Sequence, residues 1–205
     1  MGRAGRSWIA GLIFLAWLLV NVASGQSNAY EQELKKGIQA AQQGDVKEAE
    51  KHYRAAIKAQ PDSWEAHSRL ADTFFLRARF QDSIPEYEKA HELAAAGHLS
   101  AEEERHLNDQ LAIAYMIGSN FDKAIEVYRT VLAKDPDYPP YYYNLACTYA
   151  AKGDLDHALS SLREAYARKD KWPQGQMFPN PRKDTSFKRY AGDEKFEKLG
   201  REVGF

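Results

Sequence analysis

A spacing of 34 residues recurs along this 205-residue chain and constrains its fold more than any other feature. Small residues return in register, first after 34 residues, then after 41, and then after 34 again: Gly37, Ala71, Ala112 and Ala146. Two further series follow with the same steps, one of small residues and one of tyrosines: Ala49, Ser83, Ala124 and Ala158, and Tyr53, Tyr87 and Tyr128. Four matches in register argue against coincidence. The sequence therefore predicts stacked units that bury their apolar faces against one another.

Each unit places a small residue, then an aromatic residue or alanine, a turn, a second small residue, and an aromatic residue four positions later. This order resembles the tetratricopeptide repeat, a helix–turn–helix unit of 34 residues. The resemblance covers about residues 30–172 and implies an all-α, right-handed α-solenoid of about four repeats. The predicted units are approximately residues 30–63, 64–97, 105–138 and 139–172. The seven extra residues, 95–101, are expected to lengthen the helices that flank them.

Residues 1–25 have the pattern of a secretory signal peptide. Two arginines, Arg3 and Arg6, precede an apolar run from Trp8 to Val20, and the small residues Ala23-Ser24-Gly25 follow it. Cleavage after Gly25 would export the mature chain to the periplasm or the medium. The alternative is an uncleaved inner-membrane anchor over residues 8–23. The apolar run favours the signal peptide, because thirteen helical residues rise about 20 Å and a hydrocarbon core measures about 30 Å.

The composition excludes several classes of protein. The chain has 28 basic and 29 acidic residues, so its net charge does not indicate binding to nucleic acid. Its one cysteine, Cys147, excludes an intramolecular disulfide and a cysteine-rich zinc site. We expect Cys147 to be a small buried residue, with a reactive or intermolecularly paired thiol as the alternative.

No motif of metalloproteases, serine hydrolases, phosphate-binding loops or dinucleotide-binding folds is present. The one candidate metal constellation is His98, Glu102 and His106, whose spacing of four residues would place them on one face of a helix. However, Ser100 has the pattern of a helix cap, which would leave His98 outside that helix. We therefore expect no enzymatic activity, no cofactor and no metal. A metal-dependent or hydrolytic accessory enzyme of the cell envelope is the alternative.

The resemblance implies a binding surface, because the first helix of each tetratricopeptide repeat lines a concave groove. Chaperone-binding members hold a C-terminal carboxylate there with a set of Lys, Asn and Arg residues. Leu34, Ile38 and Arg69 depart from that set, so chaperone tails are not the expected ligand. The implied role is a non-enzymatic scaffold that binds an amphipathic or basic-apolar segment of another exported or envelope protein. The implied groove residues are Leu34, Ile38, Ser68, Asp72, Phe75, Asp109, Ile113, Met116, Tyr143, Cys147 and Ala150.

The tail, residues 171–205, differs from the repeats. Its linker contains Trp172-Pro173 and Pro179-Asn180-Pro181, and four large apolar residues follow: Phe187, Tyr190, Phe196 and Leu199. Asp193 to Phe196 is similar to the Asp-x-x-Phe endings of many bacterial repeat proteins of this family. We expect the tail to form helices that cap the last repeat, since a repeat array must cover its terminal apolar face. Occupancy of the groove by the tail is the alternative.

Overall fold

The computed structural model describes residue 25, residues 27–95, residue 97 and residues 99–205. The remainder of the predicted signal peptide lies outside these residues. Helices and turns make up the described residues, without a strand, and none of these helices is long and apolar enough to span a bilayer. The α-helices are α1 (residues 27–42), α2 (Val46–Ala59), α3 (Trp64–Leu76), α4 (Phe80–Ala94), α5 (Ala101–Ile117), α6 (Phe121–Lys134), α7 (Pro139–Lys152), α8 (Leu155–Ala167) and α9 (Glu194–Val203).

The chain forms two compact units, Met1–Gly97 and His98–Phe205. The described part of the first unit contains α1 to α4, in which α3 packs against both α2 and α4. In the second unit α5 packs on α6, α6 on α7, and α7 on α8. The all-α helix–turn–helix fold class is therefore confirmed. The helix α5 has 17 residues, against 13 in α3 and 14 in α7, which agrees with the expected lengthening beside residues 95–101.

The small residue that opens the repeat pattern allows α1 and α2 to approach closely. A Cβ atom added at Gly37 would lie 2.5 Å from Cε1 of Tyr53, whose ring is almost fully buried. Tyr53 belongs to the core of the first unit with Ala40, Ala49, Leu70 and Phe74. Glycine at position 37 therefore leaves room for the Tyr53 ring.

Gly37→Ala is expected to destabilise the protein by about 1–2 kcal/mol, because the clash with a buried ring outweighs the higher helix propensity of alanine. Urea denaturation followed by circular dichroism measures this loss. Gln39→Ala, on the exposed side of the same helix, is the control and should change stability by less than about 0.5 kcal/mol. In a Tyr53→Leu background the same change should cost less, because the ring that it clashes with is gone. If Gly37→Ala has no effect on stability in either background, this packing is wrong.

The turn between the two helices of each pair has the same backbone conformation. In each turn, the residue two positions before the next helix has a left-handed φ: +78° at Gly44, +55° at Ala78, +62° at Ser119 and +96° at Gly153. These positions follow the same 34, 41 and 34 steps as the sequence repeat. Left-handed backbone is strained for residues that have a Cβ atom. The two middle turns therefore hold a strain that the two glycine turns avoid.

Ala78→Gly and Ser119→Gly are each expected to raise the free energy of unfolding by about 0.5–1 kcal/mol, since relief of strain exceeds the added entropy of the unfolded chain. The matched opposite change is Gly153→Ala, which should destabilise by about 1 kcal/mol. Urea midpoints of the three variants measure both effects. A loss of stability in both glycine variants would contradict the assigned turn conformation.

The sequence predicts helix caps at Asp45, Asp62 and Ser100, each followed by a glutamate three residues later, and places Pro85 in the first turn of a helix that begins near Asp82. Two of these four predictions are correct and two are wrong. The side chains of Ser100 and Glu103 form the predicted capping box of α5, and Asp45 caps α2 by accepting from the Glu48 N–H. In contrast, α3 is capped by Ser63 rather than Asp62, because the Ser63 hydroxyl accepts from the N–H of Ala66. The helix predicted to begin near Asp82 is α4, which instead begins at Phe80, so Pro85 lies beyond its first turn.

The tail packs on α7 and α8 through short helical segments. The 3₁₀ segment Thr185–Tyr190 contacts α7, and α9 contacts α8. Phe187, Phe196 and Leu199 are each 1% exposed. The Phe196 ring stacks on Phe187 at 5.7 Å and contacts Phe205 at 5.2 Å. The tail therefore shares an aromatic core with the fourth helix pair.

Ion pairs hold the outer side of the tail. The Arg182 guanidinium donates to both carboxylate oxygens of Glu197, at 2.8 and 2.7 Å, and its Nε donates to the Phe205 carbonyl at 3.0 Å. Lys195 pairs with Asp156 of α8 at 2.6 Å. These pairs connect the tail at Arg182 to α9, and α9 to α8.

Candidate functional site

A cleft of about 720 Å³ opens within the second unit, between α5, α7 and the first part of the tail. Its size lies in the range of small-ligand and peptide side-chain sites. Capping by Ser100 fixes the start of α5, and Pro139 and Pro140 occupy the first turn of α7, where no N–H is required. The lining residues are Glu102, Arg105, His106, Asp109, Asp137, Tyr138, Pro140, Tyr143, Asn144, Lys171, Trp172, Pro173, Gln176, Met177 and Pro179.

A partly buried carboxylate, that of Asp109, lies in the wall formed by α5. Its Oδ1 atom accepts two hydrogen bonds, from the Tyr128 hydroxyl at 3.0 Å and from Nδ2 of Asn144 at 2.7 Å. Burial raises the pKa of Asp109 above its usual value, although these two hydrogen bonds oppose the rise. The first unit contains a similar pair, in which Tyr87 donates to Asp72 at 2.7 Å.

The strong cations of the cleft are already paired. Arg105 donates from Nε to Asp135 at 2.8 Å, and its guanidinium lies 4.3 Å from the centre of the Tyr138 ring. Lys171 pairs with Asp137 at 2.8 Å. Neither Glu102 nor Asp109 has a Lys or Arg partner among the described residues. The pairing therefore leaves an excess of negative charge in the cleft.

Aromatic rings form much of the remaining wall. Tyr143 meets Trp172 edge to face at 6.4 Å, and Trp172 meets Phe178 at 4.7 Å. The Trp172 indole nitrogen is buried and has no hydrogen-bond partner among the described residues. The Tyr138 ring contacts Tyr141 at 4.8 Å. These contacts place Tyr138, Tyr143 and Trp172 around the cleft without help from a ligand.

Tail residues bond to three of the implied groove residues; they cover Cys147 and Ala150, whereas Tyr143 is bonded through its hydroxyl and also lines the cleft. The Tyr143 hydroxyl donates to Oδ2 of Asp184 at 3.0 Å, and the Cys147 thiol lies 3.6 Å from the same oxygen. The Ala150 carbonyl accepts from the Tyr190 hydroxyl at 3.2 Å. Along α7 the tail therefore lies against Cys147 and Ala150, and Tyr143 is the implied groove residue of this helix that lines the cleft. The tail caps α8 and also occupies this face of α7.

Cys147 is buried, as expected from its position in the repeat. Burial raises the pKa of its thiol, and the nearby Asp184 carboxylate acts in the same direction. A thiol that is buried and held in its neutral form is a poor nucleophile. This environment favours the structural interpretation of Cys147 over the reactive one.

The implied groove residues of the first unit have local packing roles. Leu34 and Ile38 pack against its core, and Phe75 contacts the Phe80 ring at 5.1 Å. Ser68 is buried and Asp72 accepts from Tyr87. In the second unit, Ile113 and Met116 are half-buried and lie outside the lining of the cleft.

Of the residues implied by the resemblance, Asp109 and Tyr143 line the cleft. The other lining residues include Arg105, Tyr138, Asn144, Lys171 and Trp172, which the repeat pattern does not indicate. The available signal was the aromatic and proline-rich run from Tyr138 to Tyr143, followed by Trp172 at the end of the fourth unit. Of these, the sequence pattern assigns Tyr143 to the groove and Trp172 to the start of the linker.

The candidate metal residues have separate outcomes. Glu102 and His106 lie on α5 and line the cleft, whereas His98 lies outside the described residues. The helix α5 starts at Ala101 after its Ser100 cap. Within the described part of the chain, no group of three or more His, Cys, Asp or Glu side chains is arranged to hold a metal ion.

The geometry defines a protein of helix–turn–helix repeats with a cleft on the first helices of its last two pairs. Tetratricopeptide repeat models match residues 34–98 and 139–171, and a TPR repeat model matches residues 113–153. The chain therefore belongs to the tetratricopeptide repeat family, as its sequence pattern indicates. No curated protein sequence matches it significantly.

Several solved structures have the same fold. MamA is 22% identical, with a TM-score of 0.61 over 74% of this chain and 84% of its own. YrrB, described as a TPR protein with an unusual peptide-binding site, is 20% identical, with a TM-score of 0.61 over 78% and 83%. A tetratricopeptide repeat protein from Parabacteroides merdae is 15% identical, with a TM-score of 0.61 over 86% and 66%. At these identities the similarity concerns the fold.

Proposed function

We propose that this protein is a non-enzymatic scaffold that binds a segment of another protein in the cleft of the second unit. The cleft itself carries the proposal, because it lies on first helices of the repeats and presents fixed aromatic and acidic side chains. A solved structure of the same fold is described as having a peptide-binding site, which supports the proposal. The expected partner is a protein, and the near-neutral charge gives no support for nucleic acid.

Site-specific photocrosslinking in the native host tests this function. A benzoylphenylalanine at position 102, on the exposed rim of the cleft, should give a discrete covalent adduct with another protein. The same residue at position 160, exposed on α8, is the control and should not give that adduct. Mass spectrometry of the adduct would identify the partner. No adduct at position 102, or the same adducts at both positions, would contradict binding in the cleft.

The alternative function, a metal-dependent or hydrolytic accessory enzyme, is supported only by His98, Glu102 and His106. Metal analysis of the purified full-length protein distinguishes it from the scaffold. One zinc or nickel ion per chain, lost in His106→Ala, would favour the enzyme. We expect no stoichiometric metal and no change in folding for His106→Ala.

We also propose that the chain is exported and cleaved after Gly25. The basic start, the short apolar run and the small residues before position 26 support this proposal. Protein isolated from its host should begin at Gln26 and be found outside the inner membrane. Recovery of residues 8–23 still attached, in the membrane fraction, would favour the anchor instead.

A further inference from the structure

We propose that the cleft binds a lysine or arginine side chain of the partner segment, placed against Asp109 beside the rings of Tyr138, Tyr143 and Trp172. This inference rests on the proposed scaffold function and specifies the chemistry of the bound segment. Its basis is the combination of an acidic wall, aromatic surfaces and the absence of a Lys or Arg partner for Asp109 among the described residues.

The charges of the cleft favour a cationic ligand. Arg105 and Lys171 are neutralised by Asp135 and Asp137, so they do not balance Glu102 and Asp109. His106 is the other cleft residue that can carry a positive charge, so two carboxylates share the cleft with one histidine. A ligand cation would therefore be attracted at neutral pH, whereas an acidic segment would be repelled.

The negative charge of Asp109 is not required by its internal hydrogen bonds. Tyr128 and Asn144 both donate to one oxygen, Oδ1, and the amide oxygen of an asparagine could accept the same two bonds. Burial of the charge opposes folding, as the raised pKa of Asp109 indicates. A carboxylate at this position can pair with an external cation, which an amide cannot, and the open cleft leaves room for that pairing.

The aromatic residues suit the same ligand. Ring faces attract ammonium and guanidinium groups, and this attraction increases where water is excluded. The Arg105 guanidinium already lies over the Tyr138 ring, which shows that this ring accepts a cation on one side. The alkyl part of a lysine or arginine side chain would pack along Tyr143 and Trp172 while its charged end approaches Asp109.

Selection from a phage-displayed library of random twelve-residue peptides tests the inference, with the full-length protein at pH 8 as the target. We expect the selected peptides to share a lysine or arginine at one position. Replacing that residue with norleucine should weaken binding about tenfold or more, and binding should also weaken as salt is raised. The Asp109→Asn variant should lose a similar factor in affinity for the basic peptides.

Two controls separate binding from folding. Asp62→Asn removes an exposed carboxylate from the first unit, outside the implied groove residues, and should leave peptide affinity unchanged. Asp109→Asn should melt at the same temperature as the wild type or higher, because it keeps both hydrogen bonds and removes a buried charge. A loss of affinity with lower thermal stability would overturn the assignment of Asp109 to binding.

The remaining outcomes distinguish the two proposals. Selected peptides that bind without a basic residue, or that bind Asp109→Asn as tightly as the wild type, would overturn the cation site and leave the scaffold function standing. If no peptide from the library binds the protein, both proposals fail.

Discussion

Phe196→Asp is expected to lower the free energy of unfolding by roughly 4 kcal/mol or more, which is a large part of the stability of a domain of this size. The Phe196 side chain is 1% exposed and lies between the Phe187 and Phe205 rings. A carboxylate at this site would be buried without a cationic partner. Thermal unfolding followed by circular dichroism measures the loss.

Lys198→Asp is the control for charge, since Lys198 is exposed on the same helix. This variant should melt within a few degrees of the wild type. Phe196→Leu should give an intermediate loss of about 1–2 kcal/mol, because it keeps an apolar side chain but reduces its volume. Equal melting temperatures for Phe196→Asp and Lys198→Asp would show that the tail is not part of the folded core.

Alkaline pH is expected to unfold the protein steeply. Burial raises the pKa of eight described tyrosines above 10, and that of Tyr166 to about 12. The other seven are Tyr30, Tyr53, Tyr87, Tyr128, Tyr138, Tyr141, Tyr143. The neutral, protonated form is therefore favoured in the folded state. Stability is complete below pH 10 and is lost as the pH rises toward the pKa values of the folded state.

The expected slope follows from the tyrosines that are almost fully buried, Tyr53, Tyr87, Tyr128, Tyr141 and Tyr143. While such a tyrosine stays protonated in the folded state and is ionised in the unfolded state, it lowers the free energy of unfolding by at most about 1.4 kcal/mol per pH unit. Several tyrosines acting together would exhaust a typical stability within a few pH units above pH 10. Phenolate absorbance and far-ultraviolet circular dichroism should change together. Ionisation of all twelve tyrosines near pH 10 without loss of helix would show that these hydroxyls are exposed.

The helix pairs were predictable from sequence because their packing is local and repeated. Gly37 is small because Tyr53 occupies the space beside it, and the left-handed turns recur with the same steps as the repeat. Even so, Ala78 and Ser119 show that the backbone conformation is retained where glycine is not. The spacing of side chains therefore predicts the turn more reliably than the identity of its strained residue.

The site was less predictable, because it depends on where the tail lies. Position in the repeat places Cys147 and Ala150 on the groove face of α7, yet Asp184 and Tyr190 cover them. The contact between Tyr143 and Asp184 joins residues 41 positions apart, and no periodicity marks that pair. Likewise, Trp172 lies at the end of the last predicted unit, so a pattern based on repeats does not assign it to a binding cleft.

The contacts of the tail with α7 and α8 limit where helix pairs could be added to the array or removed from it. Asp184 and Tyr190 bond to Tyr143 and to the Ala150 carbonyl, and Lys195 pairs with Asp156 on α8. The tail thus recognises side chains specific to one helix pair. A duplicated helix pair inserted after α8 would separate the tail from these contacts, whereas one inserted before α5 would preserve them. Growth or shortening of the array is therefore compatible with this tail only before α7, and α7 to α9 would be inherited as one block.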